Sequence, residues 1–248
     1  METTSCVKFL KSYKQDILGR ETIEVEKIDY DLRTALIPFL PENALDEVVA
    51  MLQKYPICLN IAPCLNEEKG TRGLFHYGSY GAPHTISIKN DLDKDTFLEV
   101  FLHEYAHLLT HLSFSNFFLS HHGYEFHFCF CKLIREFFKK NIISEDLSYF
   151  KFNGSFTVGW HHLQDEVQTW KSNEYHNKIL AWVSNCFYLK TIRVGSQFEY
   201  EGEVFERVKG QQGKIRCTRV SDGMIFQLEP ETYGVNPVLD LCRERTLK

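Results

Sequence analysis

Paired zinc-ribbon cysteines, a secretory signal and long apolar runs are all missing from this sequence, and each absence excludes a class of protein. The eight cysteines include no Cys-x-x-Cys pair, so a zinc ribbon has no support. The N-terminus lacks the charged-then-apolar pattern of a secretory signal, and disulfides are unusual in a chain of this kind. We therefore predict a cytoplasmic protein whose thiols are mostly reduced and buried.

The sequence also lacks a membrane span and an excess of positive charge. Its longest apolar stretches are interrupted well before the length of a bilayer-spanning helix, so we expect no membrane partner. With 28 basic and 33 acidic residues the net charge is −5, which gives no global attraction to nucleic acid but leaves a local basic patch open. What it does have is 44% apolar residues over 248 positions, enough for one full core and a small second module.

Hydrophobic periodicity and turn residues predict an α+β fold in three parts. Residues 1–34 form a polar N-terminal arm, residues 35–190 the main domain, and residues 191–248 a small β-rich, barrel-like module. From the end of the arm through the main domain we expect helices within residues 30–55, 97–112, 125–140 and 172–189, strands at 57–61, 74–80 and 85–88, and loops over 141–171. In the module we expect short strands at residues 197–200, 203–207, 214–219 and 224–228, with a hairpin at Asp222-Gly223.

The segment His103-Glu104-Tyr105-Ala106-His107 is the strongest indication of chemistry in the chain. Residues four apart share a face of a helix, so His103 and His107 can hold one metal ion together. Glu104 then lies beside the ion, where it can take a proton from a bound water. The alternative is a pair of core histidines that are bonded to neighbouring carbonyl groups.

The sequence around this segment favours a buried helix. Residues 97–112 contain no Gly or Pro, and either Asp93 or Asp95 can cap the start. The helix is apolar on nearly all sides, so we expect it to be buried. Burying two His and one Glu within an apolar helix is unfavourable unless they have a partner, and a bound metal ion would be such a partner.

Catalytic zinc usually takes three protein ligands, so a third ligand is needed. The metzincin spacing requires Gly and His where this chain has Thr110 and Ser113, which excludes that class. His111 follows His107 by four residues, but three ligands along one straight helix cannot converge on a tetrahedral ion. His121 and His122, which precede the next predicted helix, are the candidates that the residues themselves leave open.

The complete motif resembles the SprT-like family of zinc metallopeptidases, which includes the DNA-dependent protease Spartan. Fourteen residues separate the segment His103-Glu104-x-x-His107 from a second segment, His122-Gly123-x-Glu125-Phe126. In that family the third ligand is the His of a His-Gly pair before a helix, which selects His122 here. The resemblance covers residues 35–140 well and 190–235 more loosely.

The resemblance implies a zincin-type metalloprotease domain of helices with a short β-sheet. It implies one Zn²⁺ held by His103, His107 and His122, and hydrolysis of peptide bonds by a zinc-activated water with Glu104 as general base. The implied partner is a protein substrate, with DNA-associated proteins as one class, while the oligomeric state is left open.

Several features depart from the family pattern. The four-cysteine ribbon of some members is missing, which predicts one metal ion instead of two, and no DNA-binding tail motif is recognisable. The predicted hairpin at residues 73–83 carries one His and no Arg. The runner-up hypothesis is therefore a non-catalytic, zinc-stabilised binding or regulatory protein that contacts nucleic acid or protein through the C-terminal β-module.

Further side chains carry two interpretations each. Glu125 either hydrogen-bonds a ligand imidazole or meets the dipole at a helix start. The pair His161-His162, with Asp165 and Glu166, forms either a second metal site or a solvated turn. Hydroxyl groups that could face a developing oxyanion belong to Tyr77, Tyr80 and Tyr124. The basic residues of the β-module are nearly cancelled by its acidic ones: Arg193, Arg207, Lys209, Lys214, Arg216 and Arg219 against Glu199, Glu201, Glu203 and Glu206.

Overall fold

A computed structural model describes the parts of the chain that carry the predicted metal site and both sheets. The described residues are 32–55, 57–62, 65, 70–78, 83–115, 122–143, 177, 180–181, 183, 187–210 and 213–239. The predicted arm up to residue 31, His121, Tyr80, the predicted loops from residue 144 to 171 and the pair His161-His162 lie outside them.

Contacts divide the chain into two compact units, residues 1–105 with 242–248, and residues 106–241. This division does not coincide with the predicted limits at residues 35–190 and 191–248, which stay a prediction about independently folding parts. Helices and sheets occur in the described residues of the chain, so the predicted α+β class is confirmed.

The first unit begins with two helices, α1 (Leu32–Leu36) and α2 (Leu45–Lys54), separated by a 3-10 turn at Glu42–Ala44. Helix α2 is amphipathic, since its apolar residues recur at helical spacing and are buried: Leu45, Val48, Met51 and Leu52. Helices α1 and α2 both fall within the helical stretch predicted at residues 30–55, which is interrupted at residues 37–41.

A three-stranded sheet follows, with strands β1 (Ile57–Ala62), β2 (Gly73–His76) and β3 (His84–Lys89) in the order β1-β3-β2. The central strand β3 pairs parallel with β1 and antiparallel with β2. The buried amide of Asn60 donates to the hydroxyl of Ser87 across β1 and β3 at 3.2 Å, which satisfies two polar groups inside the apolar sheet. Strand β2 is an edge strand and ends at His76, four residues before the predicted end.

Helix α3 (Lys94–Ser113) is the element that was predicted from the His-Glu segment. Asp93 caps it, because its carboxylate accepts the backbone N–H of Thr96 at 2.9 Å and the Thr96 hydroxyl at 2.7 Å. Its apolar residues are buried, including Phe97, Phe101 and Tyr105, as predicted. The Tyr105 hydroxyl donates to the Met51 carbonyl at 3.1 Å, so this buried polar group is satisfied.

The second unit contains helix α4 (Tyr124–Lys139) and a five-stranded antiparallel sheet. The strands β4 (Gln197–Tyr200), β5 (Glu203–Val208), β6 (Ile215–Arg219), β7 (Ile225–Leu228) and β8 (Asn236–Pro237) lie in the order β7-β6-β5-β4-β8. The predicted hairpin at Asp222-Gly223 joins β6 and β7, and Gly223 has the positive φ of 75° that such a turn requires. The sheet is open in the described residues, so a closed barrel is not confirmed.

The described cysteines agree with the prediction of reduced, buried thiols. Cys58, Cys129, Cys131 and Cys217 are all buried and none of the four forms a disulfide. Within the described residues, no helix combines the length and the apolar character needed to cross a membrane. Residues 177, 180, 181 and 183 are helical and fall within the predicted helix 172–189, most of which lies outside the described residues.

Candidate metal centre

Two of the three predicted ligands are fixed by helix α3. His103 and His107 lie one turn apart on it, with His103 half-buried and His107 buried. The cap at Asp93 and the buried apolar residues on both sides of the pair hold this part of the helix in place. The predicted side-by-side arrangement of the two imidazoles therefore follows from regular helix geometry.

The third imidazole comes from the residue that precedes the start of α4. Gly123 has extended backbone angles and its carbonyl accepts the N–H of His127, so the helix begins immediately after His122. The nitrogen atoms of His103, His107 and His122 that could bind a metal all lie within 4.8 Å of one another. Within the described residues no other group of three or more His, Cys, Asp or Glu side chains comes as close together.

These three nitrogens fit a zinc ion. A tetrahedral zinc held at about 2.0–2.1 Å by each nitrogen separates the nitrogens by about 3.4 Å. The three nitrogens lie within 4.8 Å of one another, so the rings would have to close by at most about 1.4 Å around a bound ion. Imidazole nitrogens also suit zinc chemically, although the geometry itself does not distinguish zinc from other transition metals.

Phe126 supports two of the ligands from the apolar side. Its ring, which is fully buried, lies 4.4 Å from the His107 ring and 4.8 Å from the His122 ring between centroids. The two imidazoles lie 5.0 Å apart. Because the two rings pack on the same rigid aromatic group, Phe126 limits their rotation and excludes water from one side of the site.

Glu104 directly follows His103 on α3 and is buried, with only 7% of its surface exposed. Burial raises the pKa of its carboxyl to about 8. The side chain lines an open pocket of about 340 Å³ together with His103, and the remaining wall consists of Thr71, Arg72, Gly73, Glu99 and Val100. The predicted general base therefore borders a space that a substrate can enter.

Glu99 and Arg72 place opposite charges on the wall of this pocket. Burial raises the pKa of Glu99 to about 7, and the positive charge of the exposed Arg72 partly opposes that effect. These two residues and Gly73 were not among the predicted site residues. A glycine in the interior or at the start of a strand signals close backbone approach, and that signal at Gly73 could have identified it.

The other predicted site residues are positioned as follows. His111 is not part of the metal-binding group, and its carbonyl accepts a hydrogen bond from Arg193 at 2.5 Å. Tyr77 is 46% exposed, and partial burial raises the pKa of its hydroxyl. Tyr124 and Glu125 form the first turn of α4, where burial raises the pKa of the Glu125 carboxyl.

Several predicted basic residues of the β-module are engaged within it. One guanidinium nitrogen of Arg207 donates to the carbonyls of Leu189 at 3.2 Å and Lys190 at 3.0 Å, and also to that of Ile192. Arg219 pairs with Asp222, and Lys214 lies 3.4 Å from a carboxylate oxygen of Glu229. Two of the six predicted basic residues, Arg219 and Lys214, therefore have a carboxylate partner, and Arg207 is held by backbone carbonyls.

A comparison with known proteins adds no assignment to this geometry, because no family model, curated protein or solved structure matches the chain. The resemblance to the SprT-like family stays a prediction that depends on the motif residues.

Proposed function

We propose that the protein is a zinc-dependent metallopeptidase of the SprT-like, zincin type. His103, His107 and His122 would hold one Zn²⁺, and Glu104 would act as the general base. The observation that carries the proposal is the convergence of three imidazoles next to a buried carboxylate that borders an open pocket.

The number and type of ligands support a catalytic ion over a structural one. Structural zinc is usually closed by four protein ligands, most often including cysteine, whereas catalytic zinc keeps one position for water or substrate. The described residues supply three histidines and no cysteine to this group. When bound, zinc would polarise the substrate carbonyl and make a water molecule more acidic.

The residues around the ion would then have separate roles in the reaction. Glu104 would accept a proton from the attacking water as its oxygen adds to the carbonyl carbon of the peptide bond. The same carboxyl would return that proton to the amine nitrogen as the C–N bond breaks. Phe126 would hold two ligand rings and keep water from their apolar side, while the exposure of His122 leaves the other side open to substrate.

The substrate class is a protein, with DNA-associated proteins included on the basis of the resemblance. The runner-up, a zinc-stabilised module that binds nucleic acid, needs a free basic surface. Because Arg207, Arg219 and Lys214 are engaged within the β-module, the structure gives that alternative less support.

The test is degradation of casein and histones by the full-length protein, with and without single- and double-stranded DNA. Zinc-loaded wild type should cleave, and Glu104→Gln should bind one zinc ion but lose at least about 100-fold in rate, because the base is gone. The exposed Glu203→Gln is the matched control and should cleave normally. Equal cleavage by wild type and Glu104→Gln would reject the proposed mechanism.

A further inference from the structure

Gly73 approaches the Glu104 side chain more closely than any residue with a side chain could. A Cβ atom placed on Gly73 would lie 2.7 Å from Glu104 Oε1 and 3.0 Å from Glu104 Cγ. It would also lie 2.4 Å from Val100 Cγ1. Non-bonded carbon atoms pack at about 3.5–4.0 Å, so something must move if residue 73 gains a methyl group.

The backbone around Gly73 is held on the side away from the helix. Gly73 pairs with Ile88 in the register of β2 and β3, and Ile88 is completely buried. The N–H of Lys89 donates to the Arg72 carbonyl at 3.0 Å, which fixes the residue just before Gly73. Strand β2 is therefore tied to the central strand and cannot easily retreat from α3.

The part of helix α3 that faces Gly73 is also held in place. Phe101 and Tyr105 are buried on it, and the Tyr105 hydroxyl is bonded to the Met51 carbonyl. The side chains facing Gly73 must then absorb any added volume. Val100 is branched and stiff at χ1, whereas the carboxylate end of Glu104 can rotate.

We propose that Gly73 is a positioning residue for Glu104, and that the missing side chain at residue 73 determines where the carboxylate lies beside the pocket. The expected effect on catalysis rests on the proposed function, whereas the expected displacement of the Glu104 carboxylate does not. A general base works only within hydrogen-bond reach of the proton it takes, and a displacement of about 1 Å can cost about 100-fold in rate. A methyl group at residue 73 requires Oε1 to move by roughly 0.7 Å before the contact reaches the ordinary distance of about 3.4 Å.

The first test compares zinc-loaded wild type with Gly73→Ala in peptide cleavage. We expect kcat to fall about 10- to 100-fold and KM to change less than about twofold, because the substitution moves the base without removing a substrate contact. The zinc dissociation constant, measured by competition with a chromophoric chelator, should change less than about twofold, because none of the three atoms nearest to the methyl group belongs to a ligand imidazole. His76→Ala, an exposed position on the same strand, is the control for a general disturbance of β2.

A second variant separates stability from catalysis. Gly73→Ala/Val100→Ala removes the closest contact and keeps the one with Glu104, so it should regain thermal stability but not kcat. Recovery of kcat together with stability would show that Gly73 serves packing alone and would overturn the inference. The double variant also allows the test if Gly73→Ala does not fold.

A crystal structure of either variant supplies a readout that needs no turnover. The carboxylate of Glu104 should be displaced from its wild-type position while His103 and His107 stay in place. An unmoved carboxylate would overturn the inference even if activity falls. If wild type itself cleaves no peptide bond, the proposed function fails, and the position of the Glu104 carboxylate still decides the role of Gly73.

Discussion

The half-buried carboxyl of Glu99 should make the stability of this protein depend on pH in a defined direction. Burial raises its pKa from the ordinary 4.5 to about 7, Arg72 opposes this shift, and Asp93 reinforces it. The folded state therefore keeps this proton when the unfolded chain has lost it. Its contribution to stability falls as the pH rises from about 4.5 to about 7 and stays low above that range.

Glutamine does not ionise, so Glu99→Gln removes this loss of folding stability at high pH. The substitution should therefore stabilise the protein at high pH only. A change in pKa from 4.5 to about 7 corresponds to at most about 3.4 kcal/mol. Because the side chain is partly exposed, solvent screening reduces this, and we expect about 1–2 kcal/mol at pH 8 and almost none at pH 4. The measurement uses chelator-treated protein, since a metal ion at the neighbouring His103 would favour the ionised carboxylate.

The assay is urea unfolding followed by circular dichroism at pH 4, 6 and 8. Glu42→Gln, an exposed position in the same unit, is the matched control for the loss of one carboxylate and is measured at the same three pH values. A Glu99→Gln variant that is less stable than wild type at pH 8, or whose advantage does not grow with pH, would refute the reasoning.

Three further predictions concern the ligand set, the helix cap and the β-module. His122→Ala should weaken zinc binding about 100-fold, on the order of 3 kcal/mol for one ligand, in a chelator competition assay, and wild-type affinity would remove His122 from the ligand set. Asp93→Ala should cost about 1 kcal/mol and lower Tm by about 2–4 °C through loss of the α3 cap, whereas an unchanged Tm would contradict the capping role. Arg207→Gln should lower Tm because carbonyls around Leu189 lose their donor, with no change in DNA binding by fluorescence anisotropy. Loss of DNA binding at an unchanged Tm would favour the runner-up function instead.

Much of the fold could be predicted from local patterns in the sequence. Helix α3 follows from its apolar run and the Asp93 cap, and strands β4 to β7 follow from alternation and the Asp222-Gly223 turn. The two-residue strand β8 was missed because Asn236–Pro237 is too short for alternation to be visible, and Pro is compatible only with an edge position. Strand β2 was predicted too long because nothing local marks its end at His76.

Some residues of the candidate site could likewise be predicted from local sequence, whereas others depend on contacts between distant parts of the chain. The spacing of His103 and His107 is a property of one helix, so the sequence alone could place them together. The choice of His122 needed the family resemblance, since His121 satisfies the same local criteria. Gly73 and Glu99 could not be placed in the pocket from the sequence, because they are 26 residues apart and their positions depend on how β2 and α3 pack.

The burial of Glu104 finally bears on the choice between an enzyme and a scaffold. An ionised carboxylate that is almost completely buried destabilises the folded state, as its raised pKa reflects. A scaffold that uses zinc only for stability gains nothing from that group, because three imidazoles already hold the ion and glutamine would fill the same space. For a hydrolase this loss of folding stability is unavoidable, because the general base must lie beside both the metal ion and the substrate pocket. Glu104→Gln should therefore raise the Tm of the zinc-free protein while it removes cleavage by the zinc-loaded one. A variant that is less stable and still cleaves would reverse this argument.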